Sequence, residues 1–291
     1  MTGPVLITGG AGSVGRALAA RFRADGRTVR VFDLPNVSYA GLEGEPGIEV
    51  LKGDITVLDT ARAAVQGVSA AVHLAALLPP SSERNRKLTI AVNVDGTEHL
   101  VKALEAANPD APFVFSSSVS TYGDTTKGTP PVRADHQQQA IDVYAESKIA
   151  AESLLKRSKL RPVILRIAGI AVPAFAEPPA VWPFMADQRM EFVHRDDVVS
   201  ALHAAVSAPE ARGKVFNIAG GPTWQTIGRV YVADVFNIMG VSPEEARFRD
   251  SPGWCDWYDT AESQRILKYQ NNRYQDFLGQ LQAEVRKLME G

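Results

Sequence analysis

Tyr144 and Lys148 stand four residues apart in Asp142-Val143-Tyr144-Ala145-Glu146-Ser147-Lys148-Ile149-Ala150-Ala151-Glu152. The alanines, the apolar spacing and the leading aspartate make this stretch a good helix opening. A separation of four residues puts the phenol and the ammonium on one helix face. Both are groups that can transfer or steer a proton. Such a pair also arises by chance on surface helices. Its weight here comes from what precedes it: an apolar run that closes in Ser116-Ser117-Ser118, and a glycine turn near the start of the chain.

That turn is Gly9-Gly10-Ala11-Gly12-Ser13-Val14-Gly15. It follows the apolar run Val5-Leu6-Ile7 and leads into a segment where Leu18 and Phe22 recur at helical spacing. Strand, glycine turn and helix in this order form the dinucleotide fingerprint, readable either as Gly10-x-Gly12-x-x-Gly15 or as Gly9-x-x-Gly12-x-x-Gly15. The glycines permit a tight turn and close backbone approach to a pyrophosphate. The helix N-terminus presents unpaired N–H groups to it. A second strand, Thr28–Asp33, ends in a carboxylate. Asp33 lies close to the offset of about 20 residues expected for the acid that grips the adenosine ribose diol. A carboxylate there repels a 2′-phosphate, so NAD is expected rather than NADP.

Strand and helix patterns must alternate to hold these groups together, and they do. Strand-like runs at 5–8, 28–33, 48–52, 70–75 and 112–118 are separated by helical patterns at 14–25, 57–66 and 88–107. Mostly apolar strands in this alternation predict a parallel sheet covered on both faces, with ligands at the carboxyl ends of the strands. Those ends carry Gly53-Asp54-Ile55, His73-Leu74-Ala75-Ala76 and the three serines. Plainer roles compete with functional ones: Asp54 as a helix N-cap, His73 as a satisfied core histidine, and the serines as turn formers.

Composition sets the outer bounds. The 291 residues are 45% hydrophobic and 22% charged, as in an ordinary α/β domain with a smaller appended lobe. A net charge of −2 gives no electrostatic reason for a nucleic-acid or membrane partner. The single cysteine, Cys255, precludes an internal disulfide and a cysteine metal cluster, and no metal is expected. Without a leader pattern or a long apolar run, a cytoplasmic location is expected.

Taken in order, the glycine turn, Asp33, Gly53-Asp54-Ile55, His73-Leu74-Ala75-Ala76, Asn93-Val94-Asp95-Gly96-Thr97, the three serines and Tyr-x-x-x-Lys resemble the extended short-chain dehydrogenase/reductases, and most closely their NAD-dependent epimerase/dehydratase branch. The likeness continues through Leu165-Arg166, Phe192–Val198 and Phe216–Gly221. It implies a Rossmann-type doubly wound parallel sheet over residues 1–165, its core continuing through parts of 190–220, with a smaller C-terminal substrate lobe over most of 166–291. It implies catalysis by Tyr144 as acid/base, Lys148 as its activator and Ser118 as partner of the substrate hydroxyl. The lysine ammonium and the nicotinamide charge would favour phenolate in a tyrosine whose ordinary pKa is about 10. The implied NAD site comprises Gly9, Gly12, Ser13, Val14, Gly15, Asp33, Leu34, Asp54, Ile55, Leu74, Ala75, Ala76, Asn93, Ser116, Tyr144, Lys148 and Ile167. A homodimer is implied by analogy with relatives that pair through helices flanking the sheet.

Departures from the family pattern narrow the reaction. Dehydratases of the family carry an Asp-Glu pair after the serine of the fifth strand; Val119 and Ser120 stand there and transfer no proton at neutral pH. Redox at a secondary hydroxyl or ketone of a sugar-like substrate remains, as net dehydrogenation or reduction, or as epimerisation through a transient ketone. A nucleotide-sugar 4-epimerase is the specific alternative. Relatives that serve only as dinucleotide sensors or scaffolds form another class; they usually lose the tyrosine or the lysine, and this chain keeps both. For the substrate, Ser118, Ser120, Gly169, Arg189 and Arg249 are the candidates. Gly169 stands where nucleotide-sugar relatives have an asparagine, and Arg189 lies one residue from an arginine position that Met190 occupies. Phe175, Pro178, Pro179, Trp182 and Phe184 either form a short apolar lid or pack the lobe's own core. His194, Asp196 and Asp197 are expected to fix a loop and cap the helix 197–207. A closing helix over 274–289 carries the stripe Phe277, Leu281, Val285 and Leu288.

Overall fold

The computed structural model describes residues 3–290. Eleven strands run in chain order: β1 Val5–Thr8, β2 Val29–Asp33, β3 Ile48–Lys52, β4 Ala70–His73, β5 Phe113–Ser118, β6 Val163–Ile167, β7 Gly169–Ala171, β8 Arg189–Met190, β9 Phe192–His194, β10 Val215–Ile218 and β11 Thr226–Ile227. The helices are α1 Ser13–Ala24, α2 Leu58–Ala64, α3 Ser81–Arg84, α4 Arg86–Ile90, α5 Gly96–Ala107, α6 Val143–Arg157, α7 Arg195–Ser207, α8 Gly228–Met239, α9 Ala261–Leu267 and α10 Tyr274–Glu290. Seven strands form one parallel sheet in the order β3-β2-β1-β4-β5-β6-β10. This is the doubly wound arrangement with one strand added beyond β6.

Strand residues sort by pleat. Val5, Ile7, Val29, Val31, Val72 and Val114 point to one face, where Leu18 and Phe22 of α1 and Val198 and Leu202 of α7 meet them. Leu6, Phe32, Ala71, Phe113 and Phe115 point to the other, against Leu100 and Leu104 of α5 and Leu155 of α6. With both faces covered, the strands need no polar alternation, and this is why they read as short apolar runs. A third core lies in the C-terminal part: Trp182, Phe184 and Met190 pack with Trp224, with Tyr231 and Phe236 of α8, and with Phe277 and Leu281 of α10.

The chain departs from its sequence pattern in three places. The expected helix 88–107 is broken: α4 and α5 are joined by a π-helical turn, Ala91–Asp95, wrapped around the buried Asn93. α8 had no counterpart in the sequence reading. On α10 the expected stripe holds for Phe277, Leu281 and Val285, but Leu288 is exposed. Among the described residues no helix is long and apolar enough to cross a membrane.

The sheet and α6 are joined by a buried ion pair. Arg166 of β6 donates from Nε and Nη2 to Glu152 of α6 at 2.9 and 2.7 Å, and the two are 2% and 0% exposed. Ser117 donates to the same carboxylate at 2.6 Å, and Arg166 Nη1 donates to the Tyr122 hydroxyl and the Ala134 carbonyl. Removing one partner from a pair this deep leaves an uncompensated charge. Arg166→Met is therefore expected to cost about 3 kcal/mol in urea unfolding. Lys156→Ala, which removes the exposed partner of the same carboxylate, is expected to cost under about 0.5 kcal/mol.

Candidate active site

The glycines of the first turn differ in what surrounds them. A Cβ on Gly9 would come within 2.8 Å of the Ala75 nitrogen, and Gly9 has a φ of +67°. One on Gly15 would come within 2.6 Å of both the Gly10 Cα and the Gly9 oxygen. These two are glycine because protein packs on them: Gly9 brings the end of β4 (Leu74, Ala75, Ala76, all half-buried) beside the turn, and Gly15 lets α1 sit on it. Gly12 is different. A Cβ there would meet only the Gly9 oxygen, at 3.3 Å. Gly12 and Ser13 are exposed, Gly12 caps α1 without a side-chain bond, and the first turn of α1 holds no acid. The N–H groups of Ser13, Val14 and Gly15 are left for an anion.

Asp33 closes this half of the site. Its carboxylate accepts from the Ala11 N–H at 3.0 Å and from the Leu34 N–H at 2.8 Å, which aims it at the glycine turn. Arg16 ties the turn to the loop after β2, donating to the carbonyls of Ala11, Ala40 and Ser38. Asp54 makes a local turn onto Thr56 rather than capping a helix, because α2 begins only after Val57. Ile55 is buried against Gly96. His73 is a core residue: its ring lies between the Thr8 and Thr97 hydroxyls at 2.6 and 2.9 Å, and burial pushes its pKa down to about 3, with the Lys148 charge adding to the shift. Asn93 is also buried, and its amide is spent on Leu77 N–H, Leu77 carbonyl and the Ser147 hydroxyl. The sequence reading placed it against the cofactor; the structure makes it a strut between a loop and α6.

At the carboxyl end of β5, Ser118, Tyr144 and Lys148 come together. The Ser118 side chain lies close enough to the Tyr144 phenol to favour its charged form. Lys148 Nζ donates to the Ser116 carbonyl at 2.7 Å and lies 5.6 Å from the centre of the Tyr144 ring. Burial lowers the lysine pKa to about 7. The phenol is pushed up from its ordinary value by burial and by the Asp142 charge, with the Ser118 side chain pulling the other way. Ile167 ends β6 beside Ser118. Val119 is fully buried, and Ser120 carries a buried hydroxyl with no partner among the described residues.

The substrate candidates fare unevenly. Arg189 is committed: Nε and Nη2 bind Asp256 at 2.6 and 3.0 Å, and Nη2 also reaches the carbonyls of Thr126 and Gly128. Gly169 is glycine because the Phe192 ring fills its side, 2.5 Å from where a Cβ would stand. Arg249 is exposed, and its charge acts on Asp142, the N-cap of α6. Trp182 and Phe184 belong to the lobe's core, whereas Phe175 and Val181 are half exposed. His194 caps α7 by accepting from the Asp196 N–H, and Asp197 binds Asn271 and Asn272. Cys255 is buried, and its thiol pKa is pushed up by burial. The sequence reading gave no role to Glu83, Glu152 or Asp256. None lies in a motif, since their partners are brought to them only by the fold.

With this geometry in place, likenesses to other proteins can be weighed. The profile of the NAD dependent epimerase/dehydratase family matches residues 5–177. The chain is 37% identical over 158 residues to the 3 beta-hydroxysteroid dehydrogenase/Delta 5→4-isomerase of Mycobacterium tuberculosis, covering 52% of this chain and 41% of that one. The match thus spans under half the length of that relative. Among solved structures, a short-chain dehydrogenase/reductase superfamily protein from Agrobacterium tumefaciens with bound NAD has a TM-score of 0.79 at 24% identity, covering 98% of each chain. DesIV, the dTDP-glucose 4,6-dehydratase of Streptomyces venezuelae, has a TM-score of 0.84 at 20% identity, covering 98% of this chain and 97% of its own.

Two outcomes follow from the geometry. Gly12→Ala is expected to leave the melting temperature unchanged while weakening NADH binding about tenfold or more, read by fluorescence titration. Gly15→Ala is expected to destabilise the fold itself. The second outcome concerns Lys148. Its folded pKa lies below the unfolded value, so the unfolded chain binds more protons between about pH 7 and pH 10, and stability rises with pH across that window. Urea unfolding at pH 7, 8 and 9 should show this rise in the wild type and a flatter dependence in Lys148→Met.

Proposed function

The chain belongs to the NAD dependent epimerase/dehydratase family, and from that premise we propose that it transfers hydride at a secondary hydroxyl or ketone of a sugar-like substrate, as a dehydrogenase or reductase. It is an enzyme of the extended short-chain dehydrogenase/reductase type, and its cofactor is NAD. The observation that carries the reading is the joined set at the end of β5: Lys148, anchored on the Ser116 carbonyl, lies 5.6 Å from the centre of the Tyr144 ring, with Ser118 beside the phenol.

The cradle fits the cofactor. Gly12 is open, the N–H groups of Ser13, Val14 and Gly15 would hold phosphate, and Asp33 would hold the adenosine ribose diol. When bound, NAD would supply the hydride acceptor and the positive charge of its nicotinamide. In the protein, Tyr144 moves a proton at the substrate oxygen and Ser118 orients that oxygen. Ser120 offers its unpaired hydroxyl nearby along the same turn. Water loss is disfavoured because Val119 and Ser120 have no group to transfer a proton.

A compact, uncharged substrate suits the rest of the site. A diphosphate needs several charge-assisted donors. Arg189 is held by Asp256, and the Gly169 position is filled by Phe192. Asp142 and Glu83 add negative charge at the start of α6. One observation favours the second reading, a nucleotide-sugar 4-epimerase: Arg249 is exposed and its charge reaches α6.

The test is a turnover screen with NAD over free sugars, uronic acids, small polyols and nucleotide sugars, following NADH by absorbance and isomers by chromatography. Net NADH from a free substrate is expected, and Tyr144→Phe should lower kcat about 100-fold or more while leaving NADH affinity unchanged. Interconversion of a nucleotide sugar without net NADH would establish the epimerase instead. Turnover unaffected by Tyr144→Phe would take the phenol out of the reaction, and binding of NADH with no turnover of any substrate would end the enzyme reading.

A further inference from the structure

The backbone of Tyr144 is held by side chains from a segment distant in sequence. The Glu83 carboxylate, carried by α3 in the connection after β4, accepts from the Val143 N–H at 2.9 Å through Oε2 and from the Tyr144 N–H at 3.1 Å through Oε1. Ser82, fully buried, donates to Glu83 Oε1 at 2.8 Å and fixes its rotamer. Asp142 takes the next N–H, that of Ala145, at 2.7 Å. On the other side, the Ser147 hydroxyl donates to the Tyr144 carbonyl at 2.7 Å while accepting from Asn93 Nδ2 at 2.9 Å. Asn93 in turn holds Leu77. Both polar groups of the Tyr144 peptide are thereby tied to the segment 77–93.

We infer that Glu83 is a positioning residue for Tyr144: it fixes the first turn of α6 against the connection after β4, so that the phenol meets Ser118. The inference rests on Tyr144 as the proton-transfer group of the proposed function. The first N–H groups of a helix have no partner within the helix, and Asp142 alone satisfies one of them. A helix start held by a single cap frays readily. The reacting phenol sits in that first turn, where a displacement of about 1 Å can cost 100-fold in rate. Glu83 removes this freedom from outside the helix, because one carboxylate with two oxygens binds two successive N–H groups.

A second tie between the same segments gives the control. Arg86 of α4 pairs with Glu146 of α6 through two contacts, but this pair is exposed and touches no atom of Tyr144. Exposed pairs contribute little. If attachment of the connection after β4 to α6 were all that mattered, the two ties would be equivalent.

The experiment compares Glu83→Ala, Glu83→Gln and Arg86→Ala by hydrogen–deuterium exchange of the peptide covering residues 142–147, by NADH fluorescence titration, and by kinetics with the fastest substrate of the screen. Glu83→Ala is expected to speed exchange at the start of α6 and to lower kcat about tenfold or more, with KM and NADH affinity within about twofold of wild type. Glu83→Gln keeps one acceptor oxygen and should fall between. Arg86→Ala should match the wild type in all three measurements. Unchanged exchange in Glu83→Ala, unchanged kcat, or equal losses in Arg86→Ala would each overturn the inference. The exchange measurement needs no substrate. Faster exchange in Glu83→Ala together with a screen in which nothing turns over would leave the hold on the helix standing and count against the proposed function.

Discussion

Lys148 keeps an amino group where water does not reach, and much of the molecule follows from that. It is 2% exposed, donates to the Ser116 carbonyl and sits 4.8 Å from the centre of the Phe115 ring. Desolvation alone drives such a group toward neutrality. The opposing influence is Glu152, one turn further along α6, whose charge raises the lysine pKa. Glu152 is itself fully buried and needs Arg166, and Arg166 needs the Tyr122 hydroxyl and the Ala134 carbonyl. Tyr122 then donates to Asn217 of β10 at 2.6 Å. One buried nitrogen at the reacting end of the sheet thus commits α6, β6, β10 and the loop before α6 to a single satisfied network. In a low dielectric such a network is stable only when complete.

Two of the helices that follow strands of the sheet, α1 and α6, are finished in opposite ways at their starts. The first turn of α1 has no capping side chain and no acid, and its leading glycine is open. The first turn of α6 has its leading N–H groups taken by Asp142 and Glu83. A helix N-terminus carries about half a positive charge. On α1 that charge is left for an anion; on α6 it is cancelled by two carboxylates. The same fold therefore divides its edge into a half suited to phosphate and a half suited to a neutral hydroxyl compound.

The sequence made legible what is local. The glycine turn, the strand-end carboxylate and the Tyr-x-x-x-Lys pair each lie within one strand–turn–helix unit or one helix, where spacing determines geometry. His73 and His194 were also read as structural, and their hydroxyl and backbone partners agree with that. What was not legible depends on pairs brought together by the fold. Nothing near Arg189 in sequence announces Asp256, and nothing near Glu83 announces the Tyr144 N–H. Asn93 looked like a cofactor ligand because its motif is local, but its amide is consumed by Leu77 and Ser147. Spacing also shows that a lysine is close to the phenol, but not that burial and the Asp142 charge push the phenol pKa up.

The same distinction bears on the substrate lobe. Counting arginines in the sequence suggests two donors for a phosphate group, Arg189 and Arg249. In the structure Asp256 takes Arg189 for architecture, accepting also from the Thr125 hydroxyl and the Trp257 N–H, while Arg189 donates to the carbonyls of Thr126 and Gly128. That junction fastens the loop after β5 to β8 and to the segment before α9. The arginine thus sets where the lobe stands rather than what it binds. Trp182 and Phe184, for which the sequence leaves lid and core both open, belong to the lobe's core with Tyr231 and Phe236. Phe175 and Val181 stay half exposed. The lobe thus spends Arg189 and its largest aromatics on its own packing and keeps Phe175, Val181 and Arg249 exposed.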